Sequence, residues 1–118
     1  MASPIDIIKE KHRRMILLWN SKKLEDIVTT MCASDAYLSE YGILRKGHHQ
    51  ILNALETHYS TTYKSSTIEL LSISDDCFVE TIAFTLGDRV GFCHLTWKKI
   101  GDDWKITCGL WSCSCKAL

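Results

Sequence analysis

The sequence has no net charge, no long apolar run and no low-complexity segment, and each absence excludes something. Fourteen basic and fourteen acidic residues cancel. No large field therefore draws the chain to nucleic acid or to an anionic membrane, and neither is expected as a partner. The one short charged run, residues 9–14, reads as the solvated face of a helix. No stretch approaches the roughly 18 apolar residues of a membrane span. The first ten residues, MASPIDIIKE, carry charge and lack the apolar core of a signal peptide, and no Asn-x-Ser/Thr sequon occurs. Together these absences predict a cytoplasmic chain whose six cysteines stay reduced.

Cysteine clustering is lacking too. Cys32, Cys77, Cys93 and Cys108 stand singly among apolar neighbours, where a thiol acts as a small hydrophobe. Cys113 and Cys115 make a C-x-C pair with no second cluster, which is poor zinc spacing. On a strand their Cα atoms lie about 7 Å apart, at the limit for a disulfide. No metal and no cofactor is expected. Cys115-Lys116-Ala117-Leu118 fits the C-a-a-X pattern formally. Lys116 is not aliphatic and the tether is short, so Cys115 reads as unmodified. Without repeats or linkers, the 118 residues form one domain, 1–118.

What is present is a helical half followed by a strand-forming half. Ser3 as N-cap, Pro4 in the first turn and Asp6 near the positive end start a helix. Its apolar stripe is Ile5, Ile8, Met15, Ile16 and Trp19, with His12 inside it. His12 reads as a core-edge histidine bonded to a backbone carbonyl. Leu24, Ile27, Val28 and Met31 predict a second helix, and residues 34–38 and 42–46 two short extended pieces. Gly47 opens a third helix with Ile51, Leu52, Leu55 and Tyr59 on its buried face. His48 and His49 point about 100° apart and cannot jointly chelate a metal. With His58, they read as structural or exposed.

From Ser65 onward the pattern is that of strands. Residues 67–73, 77–86 and then the two arms flanking Gly101-Asp102-Asp103 predict an antiparallel meander. Phe78, Ile82, Phe84 and Leu86 share a face with Glu80 among them. Cys93, Leu95 and Trp97 share one face of the next strand, and Phe92, His94 and Thr96 the other. Helices are expected on one side and a second copy of the chain on the other. The class is α+β.

Several of these residues carry a resemblance to a known family. Trp19-Asn20 ending the first helix, Asp35-Ala36-Tyr37, Gly47-His48-His49-Gln50-Ile51 and Gly101-Asp102-Asp103-Trp104-Lys105-Ile106 together resemble the nuclear transport factor 2-like superfamily. The likeness is strongest to its SnoaL-like and ketosteroid isomerase-like domains. It implies a cone-shaped, curved antiparallel β-sheet wrapped around three N-terminal helices, a cystatin-like arrangement, and a homodimer through the convex face. It also places the isomerase base at Glu40, the oxyanion tyrosine near Met15 and the sheet carboxyl near Cys93. A thioether donates no hydrogen bond and a thiol only a weak one. Losing such a donor costs about a hundredfold or more in rate, so steroid-type isomerisation is not expected.

Three readings of function follow. The first is a non-catalytic module holding a small apolar ligand against Met15, Trp19, Tyr37, Tyr59, Phe84, Cys93, Leu95 and Trp97. The second is an isomerase, cyclase or dehydratase using Glu40 or Glu80 as general acid or base, with Tyr41 and His94 as lesser candidates. The third is an assembly domain with a filled cone. A carboxylate facing a cavity beside a Tyr or His favours the second; a cone filled by Trp19, Trp97 and Phe84 disfavours it.

Overall fold

Nine elements follow in order: α1 (Pro4–Asn20), α2 (Leu24–Met31), β1 (Cys32–Glu40), β2 (Ile43–Lys46), α3 (Gly47–His58), β3 (Tyr63–Ser74), β4 (Cys77–Leu86), β5 (Arg89–Ile100) and β6 (Asp103–Cys115). This is a computed structural model, and it describes residues 2–60 and 62–115, with side chains through Cys113. The last three residues of the C-a-a-X pattern lie outside the described residues.

The helices start where capping chemistry places them. Ser3 Oγ accepts the Asp6 N–H at 3.2 Å, and Pro4 occupies the first turn. The buried stripe of α1 is Ile8, His12, Leu18 and Trp19, whereas Ile5 is exposed and Met15 and Ile16 are half-buried. Ile5, in the capped first turn, is 41% exposed and takes no part in the core. Asn20 ends α1 and bonds both the N–H and the carbonyl of Tyr63, each at 2.9 Å, fixing the start of β3. On α2, all four expected residues, Leu24, Ile27, Val28 and Met31, are buried. α3 buries Ile51 and Ala54, and Tyr59 falls just past its end.

The six strands form one sheet in the order β2-β1-β6-β5-β4-β3. The meander β3–β6 is antiparallel throughout, but β1 lies parallel to β6, pairing Leu38 with Gly109 and Glu40 with Trp111. The sheet is therefore mixed rather than purely antiparallel. The cause is the α3 crossover, which lets an early strand join the last one side by side. β5 and β6 are long, 12 and 13 residues. Register shifts at Thr67/Glu69 and Thr96/Trp97 add the local twist that lets such strands curl.

Strand alternation divides the two faces. Phe78, Glu80, Ile82, Phe84 and Leu86 of β4 are all buried toward the helices. Leu95 and Trp97 on β5 and Trp104, Ile106 and Trp111 on β6 join them in one core with Ile8, Trp19, Ile27 and Met31. Gly109 faces inward where a Cβ would stand 3.0 Å from a Leu38 methyl and 3.3 Å from a Leu95 methyl, so the missing side chain makes room for both leucines. On the opposite face, Phe92 is 61% exposed, Leu110 53% and Tyr37 44%.

Candidate functional site

Inside the core, α1 and the inner faces of β1, β4, β5 and β6 leave a cavity of about 110 Å³. Met15, Trp19, Phe84, Cys93 and Leu95 line it, as the strand and helix periods predict, together with Ile27, Leu38, Leu55, Tyr63, Ile82, Leu86 and Trp111. Three residues expected there lie elsewhere. Tyr37 is on the outer face, because its register partner on β6 is Cys108 rather than an inward residue. Tyr59 sits past α3, stacked on Trp19 at 5.8 Å with the Lys22 ammonium 5.4 Å from its ring centre. Trp97 is fully buried, but its ring is turned to Glu80.

The wall carries no charged side chain. The Cys93 thiol is pushed up to about 12, first by burial and then by the charge of nearby Glu80, so it stays protonated. Burial likewise raises the Tyr63 phenol, partly offset by the neighbouring Ser65 hydroxyl.

Both carboxylates singled out from the sequence are buried, and both stand outside the cavity lining. Glu80, 0% exposed, sits beside Leu95 and Leu70 in the sheet register. Trp97 Nε1 donates to its Oε1 at 3.0 Å and Thr67 Oγ1 to its Oε2 at 2.7 Å. His12 Nδ1 meets the same Oε2 at 2.7 Å, and His12 Nε2 lies 2.6 Å from Ser65 Oγ. A carboxylate only accepts, so Nδ1 carries the hydrogen and donates to Glu80, while Nε2 and the Ser65 hydroxyl, either of which can donate, satisfy each other. His12 thus bonds to side chains rather than to a backbone carbonyl. A burial penalty for polar groups explains the meeting. One histidine in an apolar helix stripe and one glutamate in an apolar strand face share a single core and satisfy each other there.

Glu40, the last residue of β1, is 1% exposed. Tyr41 (φ 48°) and Gly42 (φ 80°) turn the chain tightly back into β2, bringing the Arg45 guanidinium 3.3 Å from Glu40 Oε1. His58 Nε2 stands 2.9 Å from Oε2 without the alignment of a hydrogen bond, so Oε2 has no hydrogen-bond donor. The His58 ring lies edge-on to Trp111 at 5.0 Å. His58 thereby has a carboxylate neighbour that its distance along α3 from His48 and His49 gave no reason to expect. His48 bonds the Cys32 carbonyl at 3.0 Å, and His94 faces outward opposite Leu110. Among the described residues, no cluster of His, Cys, Asp or Glu has the makings of a metal site, and no helix is long and apolar enough to cross a membrane.

Sequence reasoning missed Ser65, Thr67, Arg45 and His58. The first two carried a faint signal: inward-facing hydroxyls at alternate positions of β3, on the same side as Glu80.

No protein-family model and no curated protein matches the chain by sequence. Solved structures do match by shape. An NTF-2-like protein of unknown function from Shewanella oneidensis superposes with a TM-score of 0.80 at 24% identity, over 92% of this chain and 98% of that one. A ketosteroid isomerase-like protein from Erwinia carotovora gives 0.78 at 11%, over 91% and 93%. A cystatin-like fold protein of unknown function from Nostoc punctiforme gives 0.73 at 16%, over 95% and 93%. The chain therefore has the nuclear transport factor 2-like, cystatin-like α+β fold.

Proposed function

We propose that the chain is a binding module whose cone takes a small apolar molecule and whose outer sheet face pairs with a second copy. The observation that carries the first part is the cavity wall: apolar side chains surround about 110 Å³, and neither buried carboxylate is part of the lining. Sites for drug-sized ligands span roughly 300–1,000 Å³. A dry cavity of about 150 Å³ takes up benzene, so the fitting class here is a molecule of a few carbon atoms up to a small ring. A methyl-resolved NMR titration with benzene tests this. Shifts confined to the methyls that line the cavity, those of Met15, Ile27, Leu38, Leu55, Ile82, Leu86 and Leu95, are the expected result; an unchanged spectrum at saturating probe would sink the reading.

Self-association draws on Phe92, Leu110 and Tyr37, which stand exposed on neighbouring strands β5, β6 and β1. Contiguous apolar surface of this kind marks an interface. Sedimentation should show a dimer that the Leu110→Glu variant dissociates; a wild type that stays monomeric at 100-fold higher concentration would overturn it.

The competing reading, proton transfer on a carbonyl compound by Glu80 or Glu40, rests on the histidine beside each carboxylate. Glu80 is already held by three donors and Glu40 by Arg45, and neither meets the cavity's contents. The binding reading needs no such rearrangement.

A further inference from the structure

Glu80 has a donor for each of its oxygens, whereas Glu40 does not. Among the described residues, Glu40 Oε2 alone of the buried side-chain nitrogens and oxygens has no hydrogen-bond partner. Leaving a buried acceptor unpaired is costly, and more so when it carries charge. The polar groups around it are committed elsewhere. Arg45 meets Oε1, and the Tyr41 hydroxyl is taken up by the Cys113 backbone, donating to its carbonyl at 3.0 Å and accepting from its N–H at 3.1 Å. Arg89 closes on His58 Nδ1 at 3.5 Å; a guanidinium only donates, so the ring hydrogen sits on Nε2. That hydrogen lies off the line to Oε2, although the two heavy atoms are 2.9 Å apart. An unmet acceptor thus stands beside a misaligned donor. A hydroxyl serves both at once, because it donates and accepts. An ammonium offers only donors and a carbonyl only an acceptor.

Water fits that description too; the position of the pair beside the apolar cavity is what selects a ligand hydroxyl. Leu38 lines the cavity, and Glu40 follows two residues on along the same buried face of β1, roughly 7 Å away. Leu55 lines it, and His58 is its neighbour three residues on along α3. Trp111 lines it from β6, pairs with Glu40 in register and has its ring 5.0 Å from that of His58. A molecule confined to the cavity touches no carboxylate. One whose ring fills the cavity and whose polar tip passes the edge of Trp111 reaches Oε2 and Nε2, with Glu40 still held by Arg45.

We propose that the cone takes a small ring bearing one hydroxyl, a phenol or cyclic alcohol, whose hydroxyl donates to Glu40 Oε2 and accepts from His58 Nε2. The proposal rests on the ligand-binding reading of the cone and names the class of molecule bound. No bond is made or broken: Glu40 and His58 are binding residues, and Trp111 is the partition between the apolar and polar compartments.

The test compares phenol with toluene, the same ring carrying a hydroxyl or a methyl, each titrated into the wild-type protein and followed by NMR. A wholly apolar cavity prefers toluene, because phenol has to bury its hydroxyl unpaired. The expected result is the reverse order, phenol binding about tenfold or more tighter, as a hydrogen bond to a charged group allows. The His58 ring ¹⁵N resonances should move with phenol and stay in place with toluene. Glu40→Met, close in size to the native side chain but uncharged, should bring the affinity ratio to one or below. His58→Phe, which keeps a ring against Trp111, should lower it severalfold. Should either variant fail to fold, the wild-type order and the His58 resonances still decide. Toluene binding as tightly as phenol, or more so, overturns the proposal and leaves the apolar cavity standing, with at most water at Oε2. A phenol preference that survives in Glu40→Met also sinks it, since the hydroxyl then lies elsewhere. Binding of neither probe removes the ligand-binding reading itself, and this inference with it.

Discussion

Replacing His12 by leucine isolates what the buried network contributes to stability. The change leaves Glu80 in the core with two donors, Trp97 and Thr67, instead of three. Breaking a buried pair from one side typically costs about 3–5 kcal/mol, a large share of the roughly 6–18 kcal/mol expected for a chain of this length. Glu80→Leu has a similar effect for a different reason. It strands the Trp97 N–H and the His12 ring, each at about 1–3 kcal/mol, while half-buried Thr67 can turn to water. In the double variant the charge and the ring disappear together and two leucines meet, leaving only the indole N–H without an acceptor. Its loss should therefore fall at least about 2 kcal/mol short of the sum of the singles. Urea unfolding of all four proteins, with midpoints and slopes compared, measures the coupling. Additivity within about 0.5 kcal/mol would refute the claim that these two side chains hold each other.

Three more outcomes follow from the same geometry. Cys93, held near 12, has about a thousandfold less thiolate at pH 8 than an ordinary thiol near 9, offset about twenty- to thirtyfold by its greater intrinsic nucleophilicity. Iodoacetamide should therefore alkylate it about thirtyfold or more slowly in the folded protein than in urea, and equal rates would contradict its burial. Asp103 titrates below its usual range: burial pushes it up, but Lys11 at 2.9 Å, the Trp104 N–H and Lys105 at 3.3 Å outweigh that. Its contribution is present above the unfolded value near 3.8 and is lost as pH falls through the folded one. Because the Asp103 side chain is 49% exposed, solvent screens the pair and that contribution is below about 1 kcal/mol. Asp103→Asn should flatten the acid limb of a stability–pH curve below pH 4, and an unchanged slope there would count against the pair. Gly109→Ala should cost no more than about 1 kcal/mol, since the Leu38 and Leu95 methyls it crowds can retreat into the cavity. The same variant should weaken benzene binding; unaltered binding would mean the cavity lies elsewhere.

Most of the architecture was legible because it rests on periodicity. Alternation on β4 and β5 sorted Phe78, Ile82, Phe84, Leu95 and Trp97 inward and Phe92 outward, and the caps and stripe of α1 marked its span. The parallel β1–β6 joint was not legible, because pairing between strands at opposite ends of a chain leaves no local pattern. The same limit governs the site. Each polar residue in an apolar stripe, His12 and Glu80, was visible alone, but their meeting at 2.7 Å depends on how α1 lies across β3 and β4. Tyr37 was misplaced because one residue of register decides which face a side chain takes. Glu40 stands beside the Tyr41-Gly42 turn in the sequence, and its burial next to Trp111 and capture by Arg45 are tertiary facts.

The parallel joint also sets a timetable. Tyr41 at the end of β1 bonds the Cys113 backbone across 72 residues of sequence. At synthesis rates of about 5–20 residues per second, β1 emerges some four to fourteen seconds before the strand it must flank. Throughout that interval Leu38 and Glu40 lack their wall, and β2 is the strand β1 can pair with. Loop closure over such a span makes the joint late in refolding as well. The nascent chain is thus most exposed to aggregation and to chaperones while its N-terminal half waits for β6.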